Sequence, residues 1–181
     1  EKQLLTYPRT DGTCVSSSKA ETFSDLLTAI SHVDELAGYA RTVSTADIER
    51  VKKNKKVVND EEVKKSSHDA LLPTEKAPDM SKLTDTEKHI YLLVAKRFLA
   101  QFMPDKDDEK SVLLAEIAGR IFKSNGSVTA NPGWSVLYEK KESSEKIPEG
   151  IKNGDVLRIS DIVPHEKVSK PPKRLTSASL V

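Results

Sequence analysis

Thr84-Asp85-Thr86-Glu87-Lys88-His89-Ile90-Tyr91-Leu92-Leu93-Val94-Ala95-Lys96-Arg97-Phe98-Leu99-Ala100-Gln101-Phe102-Met103-Pro104 is the stretch that divides this chain into two kinds of structure. Thr84 and Glu87 stand at capping-box spacing, so each side chain can satisfy an orphan amide of a first helical turn. Ile90, Tyr91, Val94, Phe98 and Phe102 follow at three- and four-residue intervals and form an apolar stripe on a helix. Pro104 stops that helix because it has no amide hydrogen to continue the ladder.

Upstream, Ala20, Phe23, Leu26, Leu27 and Ile30 recur at helical spacing, which predicts one helix from Ser16 to about Val33 with N-caps available in Ser16-Ser17-Ser18. A second, basic and largely exposed helix is expected after Ser44 or Thr45, containing Ile48 and Val51. Residues 57–73 have no clean period and are expected to be loop and short extended structure, leading into a proline-punctuated linker over residues 73–79. Beyond Pro104 the character changes. Apolar and β-branched runs at residues 112–118, 121–122, 134–138 and 156–162 are separated by Gly, Asn and Pro. Asn125-Gly126 and Asn131-Pro132-Gly133 are turn signals, and residues 139–150 read as a loose loop. The expected class is therefore α+β. A mainly helical part spans residues 1–103, a small antiparallel β region spans residues 104–169, and residues 170–181 lead into whatever follows.

A chain of 181 residues, 36% hydrophobic and 31% charged, can bury one medium core or two small ones and leans away from full disorder. No segment approaches the roughly 20 apolar residues of a membrane span. The start, Glu1-Lys2-Gln3-Leu4-Leu5, has no initiator Met, basic region or apolar region and reads as a cut inside a longer protein. Cys14 is the only cysteine, which excludes an internal disulfide and a Cys-based metal site and fits a reducing cytoplasm. Its plainest reading is an inert loop thiol. With a net charge of +1, only local clusters could attract nucleic acid. One is Arg50, Lys52, Lys53, Lys55, Lys56, Lys64 and Lys65 against Asp60, Glu61 and Glu62; another is Lys167, Lys170, Lys173 and Arg174. Each is either a solvated face or a phosphate contact. The acidic residues form no compact metal-ligand cluster in the sequence.

The chemistry concentrates in Tyr7-Pro8-Arg9-Thr10-Asp11. Covalent attack on a phosphodiester needs a phenolate, and a neighbouring cation favours that charged form over a phenol whose unperturbed pKa is about 10. Arginine also presents several N–H donors to the phosphate oxygens on which charge gathers during transfer. Taken alone, a Tyr-Pro pair is as readily a packed aromatic before a proline.

Leu4-Leu5-Thr6-Tyr7-Pro8-Arg9-Thr10-Asp11 resembles the active-site segment of type IA DNA topoisomerases, where an apolar pair and Thr precede Tyr-Pro-Arg-Thr/Ser-Asp. About 60 residues on, Ser67-His68-Asp69-Ala70-Leu71-Leu72-Pro73-Thr74 is similar to the family's His-x-Ala-Ile-x-Pro-Thr element, with Leu in place of Ile. The helix from Thr84 to Phe102 with Met103-Pro104, then Gly133-Trp134 with Val136-Leu137-Tyr138, and finally Pro171-Pro172-Lys173-Arg174-Leu175-Thr176, fall in the family's order. The likeness is to the topoisomerase III kind and covers nearly the whole chain.

This resemblance implies a multidomain toroidal enzyme that breaks and rejoins single-stranded DNA through a 5′-phosphotyrosine intermediate to allow strand passage. Tyr7 would be the catalytic nucleophile, Arg9 and His68 would bind the scissile phosphate, and Thr10 and Asp11 would support them. It also implies that the full-length enzyme uses Mg²⁺ held by a toprim domain outside this chain. The partners would be single-stranded DNA and the toprim and cleft domains of the same polypeptide, and the isolated fragment is expected to be inactive. Gly12-Thr13-Cys14 departs from the family, which continues after the Asp with Ser or Cys and often an Arg-Tyr pair. Two alternatives come from other classes. A tyrosine recombinase would need basic residues ahead of a C-terminal Tyr, whereas here Tyr7 comes first. A non-catalytic nucleic-acid-binding or structural module fits the basic stretches and stays open.

Overall fold

In the computed structural model, the described residues are 2–8, 10–138, 147–148, 150–172 and 174–176. Two compact units divide the chain, residues 1–147 and residues 148–181. Among its described residues the first contains six helices and one two-stranded antiparallel sheet, so the class is α+β. The helices are α1 (Ser17–Ala20), α2 (Phe23–Ile30), α3 (Asp34–Thr42), α4 (Thr45–Lys52), α5 (Asp60–Ser66) and α6 (Asp85–Leu99). The strands are β1 (Asp107–Ile117) and β2 (Arg120–Asn131), and 3₁₀ turns cover Met80–Lys82, Ala100–Phe102 and Gly133–Leu137.

The single helix expected from Ser16 is broken into α1 and α2. At the break the Thr22 hydroxyl donates to the Lys19 carbonyl at 2.9 Å, a local bond that competes with helix continuation. α3 follows directly and buries only Leu36 and Ala40, one turn apart. α4 starts where expected, with Ser44 and Asp47 forming both halves of a capping box. α5 corrects the loop expected over residues 57–73. It buries no side chain and so has no apolar period to read. Charge and capping make it instead: the Asn59 side chain accepts from the Glu61 and Glu62 amides, acids fill the first turn, and Lys64 and Lys65 occupy the last.

α6 forms with its predicted capping box, but its buried face differs from the predicted stripe. The seam is Tyr91, Ala95, Phe98 and Leu99, continued by Phe102, while Ile90 is 47% exposed. Phe23, Phe98 and Phe102 meet edge to face with centroids 5.0 to 5.5 Å apart, locking α2 to the end of α6. Such pairs add about 0.5–1.5 kcal/mol each beyond burial. The Tyr91 hydroxyl is buried with no hydrogen-bond partner among the described residues, and burial pushes its phenol up to about 12.

The cap of α6 has a consequence for acid stability. The Glu87 carboxylate accepts from Lys2 Nζ at 2.7 Å, the Thr84 amide at 2.8 Å and the Thr84 hydroxyl at 2.9 Å. The lysine first, then the Thr84 bonds, hold its pKa down at about 2. A depressed carboxylate pKa contributes stability above the unfolded value, and that stability is lost as pH falls through the folded value. Glu87→Gln is therefore expected to flatten the acid-side decline between about pH 4.5 and pH 2, read by thermal unfolding across that range. A decline identical to the parent's would remove Glu87 from the account.

The hairpin turn is not at Asn125-Gly126, which lies in mid-strand with Asn125 opposite Val112 and Gly126 opposite Ser111. The chain reverses at Ala118-Gly119, whose φ values of +50° and +70° give the two left-handed residues that a tight hairpin turn needs. Asn131-Pro132-Gly133 does turn the chain, with the Gly133 amide donating to the Asn131 side chain at 3.0 Å. Residues 134–138, expected as extended, are mostly 3₁₀, and the Trp134 amide is tied to the Pro104 carbonyl at 2.9 Å. In the second unit, residues 156–162 form no strand among the described residues. The loop expected over residues 139–150 lies largely outside the described residues.

Candidate active site

Tyr7 and His68 are brought together by backbone pairing between the start of the chain and residues 70–74. Leu5 bridges Pro73 in antiparallel fashion. The Thr6 amide donates to the Leu72 carbonyl at 2.9 Å, and the Leu72 amide donates to the Thr6 hydroxyl at 2.9 Å. The Thr74 amide and hydroxyl reach the Leu4 and Gln3 carbonyls at 3.0 and 2.8 Å. Further along, the Ala70 amide donates to the Cys14 carbonyl at 2.8 Å, and Val15 bridges Val58 in parallel. α1 to α4 thus form a closed excursion whose two ends are stitched side by side.

His68 sits on a tightly specified turn. Ser67, the cap of α5, adopts φ +60° and reverses the chain. The Ser66 hydroxyl donates to the His68 carbonyl at 2.8 Å. From the other side, the Asp69 carboxylate accepts the Ser16 amide at the head of α1, and the Asp69 carbonyl accepts the Thr10 hydroxyl at 3.0 Å. Gly12 lies against this turn so closely that a Cβ there would come within 2.5 Å of the His68 carbonyl oxygen.

The outcome is that the Tyr7 and His68 rings lie 6.3 Å apart between centroids, with planes inclined by 57°. Both are exposed, Tyr7 by 68%, so a ligand can reach both. Thr10 accepts the Gly12 amide at 2.9 Å while donating to Asp69, which makes it a backbone brace between the two segments. Asp11 is exposed at the surface beside it. Arg9 lies outside the described residues. Gly12, Ser66 and Asp69 were missed by sequence reasoning; the only signal was the glycine standing where the resemblance leads one to expect a side chain.

The basic run divides into charges held in ion pairs and charges that are not, although Lys55 and Lys64 still attract the Asp60 carboxylate. Lys52 pairs with Glu21 at 2.8 Å and Glu49 at 3.6 Å, and Lys65 pairs with Glu62 at 2.7 Å. Arg50 donates to the Phe102 carbonyl at 2.9 Å and reaches Asp47 at 3.4 Å. Lys53, Lys55, Lys56 and Lys64 are exposed and form no ion pair among the described residues. Among those residues, no group of three or more His, Cys, Asp or Glu is placed to hold a metal ion, and no helix is long and apolar enough to cross a membrane.

Comparison with known proteins decides the family, because a family model described as DNA topoisomerase matches residues 1–181. The chain belongs to the DNA topoisomerase family. Its likeness is to the type IA enzymes of the topoisomerase III kind. It is 33% identical over 188 aligned residues to DNA topoisomerase 3 of Bacillus subtilis strain 168, covering 100% of this chain and 25% of that protein. Over the same shares it is 32% identical to DNA topoisomerase 3 of Bacillus licheniformis and 34% identical to that of a Bacillus cereus strain. This topoisomerase chain thus spans about a quarter of the length of the curated relatives it matches.

Proposed function

We propose that this chain carries the nucleophile of a topoisomerase III-like enzyme that changes DNA topology in the cytoplasm by breaking and rejoining single strands. The observation that carries the reading is the approach of Tyr7 and His68 across about 60 residues of sequence, both rings exposed on a braced backbone. The Tyr7 phenolic oxygen attacks the phosphorus of a phosphodiester, forming a tyrosine–5′-phosphate ester as the bond to the 3′ oxygen breaks. The freed 3′ hydroxyl later attacks the same phosphorus, restoring the strand and the phenol. One ester replaces another in each step, so no high-energy cofactor is consumed.

In this proposal Arg9 and His68 bind the scissile phosphate, Thr10 braces the His68 turn, and Asp11 supports Arg9. The Mg²⁺ implied for the full-length enzyme would be held by its toprim part, outside this chain, where it would offset phosphate charge. The proposal is tested by trapping the covalent adduct of the full-length enzyme on a labelled single strand and sequencing the labelled peptide. The label is expected on Tyr7 through a 5′ phosphate, and a 3′ linkage or another residue would overturn the assignment. The isolated chain is expected not to relax supercoiled DNA even with Mg²⁺.

A non-catalytic contribution to DNA binding is favoured by the four exposed lysines that form no ion pair among the described residues. If they meet phosphates, single-strand affinity should fall with salt, with a slope of about −0.7 per phosphate neutralised. Changing Lys53, Lys55 and Lys56 to Glu is expected to flatten that slope in a fluorescence titration, whereas Lys52, held by Glu21 and Glu49, should contribute less. An unchanged slope would return the run to an ordinary solvated face.

A further inference from the structure

Behind the segment that carries His68 lies a partly open cavity of about 150 Å³ that the Tyr7 chemistry does not use, although Lys56 at its edge also belongs to the basic run. Its buried walls include Phe23, Phe98, Phe102 and Leu72. Its more exposed lining residues are Thr13, Lys56, Arg97 and Gln101, and no acidic residue lines it. The exposed lining is about half polar and half apolar, and the volume matches that of a cavity that holds one benzene ring. The Lys56 and Arg97 side chains have no carboxylate partner among the described residues, so the exposed lining offers two cations and the Thr13 hydroxyl to an incoming anion, while the Gln101 amide already donates to the Arg97 carbonyl at 3.2 Å.

We propose that this cavity is a binding site for a small carbocyclic aromatic acid, its ring among the three phenylalanines and its carboxylate at Lys56 and Arg97. A nucleotide shares the combination of ring and anion, but its base carries polar edges on every side. The walls contributed by Phe23, Phe98, Phe102 and Leu72 give those edges no hydrogen-bond partner, and burying them unpaired is costly. The ligand also touches the region of Ala70, Leu71 and Leu72, and the Leu72 backbone holds Thr6 beside Tyr7.

The test uses 3-phenylpropionate, its uncharged amide and thymidine monophosphate as probes on the 181-residue chain, followed by NMR. The acid is expected to saturate, to show ring contacts to the methyls of Val51 and Leu72, and to bind about tenfold more tightly than the amide. Arg97→Gln together with Lys56→Gln, both at exposed positions, should erase that preference while the methyl contacts persist. Absence of saturable binding, equal binding of acid and amide, or a preference unchanged in the double variant would each overturn the proposal. So would thymidine monophosphate contacting the same methyls more tightly than the acid.

Discussion

Tyr7→Phe in the full-length enzyme is expected to reduce covalent protein–DNA adducts and DNA relaxation to background while the protein remains folded. The substitution deletes one oxygen, and in the proposed cycle that oxygen is the atom bonded to phosphorus in the intermediate. Removing a nucleophile commonly costs several orders of magnitude in rate, far more than any positioning defect. Stability should hardly change. Tyr7 is 68% exposed and its hydroxyl makes no hydrogen bond among the described residues, so unfolding should shift by no more than about 0.5 kcal/mol. Adducts are read on a denaturing gel with labelled DNA, and folding by chemical denaturation of the same preparation. Persistence of the adduct in the variant would show that another residue is the nucleophile.

What could be read in the sequence followed the physical strength of each signal. The cap and extent of α6 were legible because Thr84, Glu87 and Pro104 act locally, through bonds that neighbouring residues make or forbid. The face that α6 buries was misjudged because the expected stripe took in both Ile90 and Tyr91, adjacent residues that cannot share one face, and which of them is buried depends on packing against parts of the chain distant in sequence. α5 was illegible to apolar periodicity because nothing in it is buried, yet its caps and charge order were on view at Asn59, residues 60–62, Lys64 and Lys65. The hairpin turn was misplaced because Asn125-Gly126 is the stronger sequence signal, whereas strand register places left-handed residues at Ala118-Gly119.

The candidate site shows the same division. Tyr7 and His68 were named from residue type and resemblance, and the pairing of residues 3–6 with 72–74 brings their segments side by side. The turn that presents His68 depends on Gly12, Ser66 and Asp69, whose roles are fixed by contacts of 2.5 to 3.1 Å. No pattern of residue types encodes such distances. A glycine in a loop is usually read as a conformational device, but Gly12 does not adopt a positive φ. Its need is for space alone.

That need makes a contrast between two identical substitutions. A Cβ on Gly12 would lie 2.5 Å from the His68 carbonyl oxygen and 3.1 Å from the hydroxyl oxygens of Ser66 and Thr10. The hydroxyls can rotate aside only by giving up their bonds to the His68 and Asp69 carbonyls, and the His68 carbonyl can retreat only if the turn over residues 66–70 moves. That movement would strain the Ser66 bond to His68 and the Thr10 bond to Asp69. Overpacking of this kind costs about 1–3 kcal/mol, more than the roughly 0.4–1 kcal/mol that Gly→Ala gains by restricting the unfolded chain. Gly38, exposed within α3, has nothing within 4 Å of its would-be Cβ, so Gly38→Ala should stabilise by about 0.5–1 kcal/mol through helix propensity. Urea unfolding of the two variants should therefore shift in opposite directions. In Gly12→Ala the ring contacts between Tyr7 and His68 should also weaken in NMR spectra recorded where the protein remains folded, and adduct formation by the full-length enzyme should fall. A Gly12→Ala variant as stable as the parent with its Tyr7–His68 contacts intact would mean that the turn yields freely, and that Gly12 does not set the position of His68.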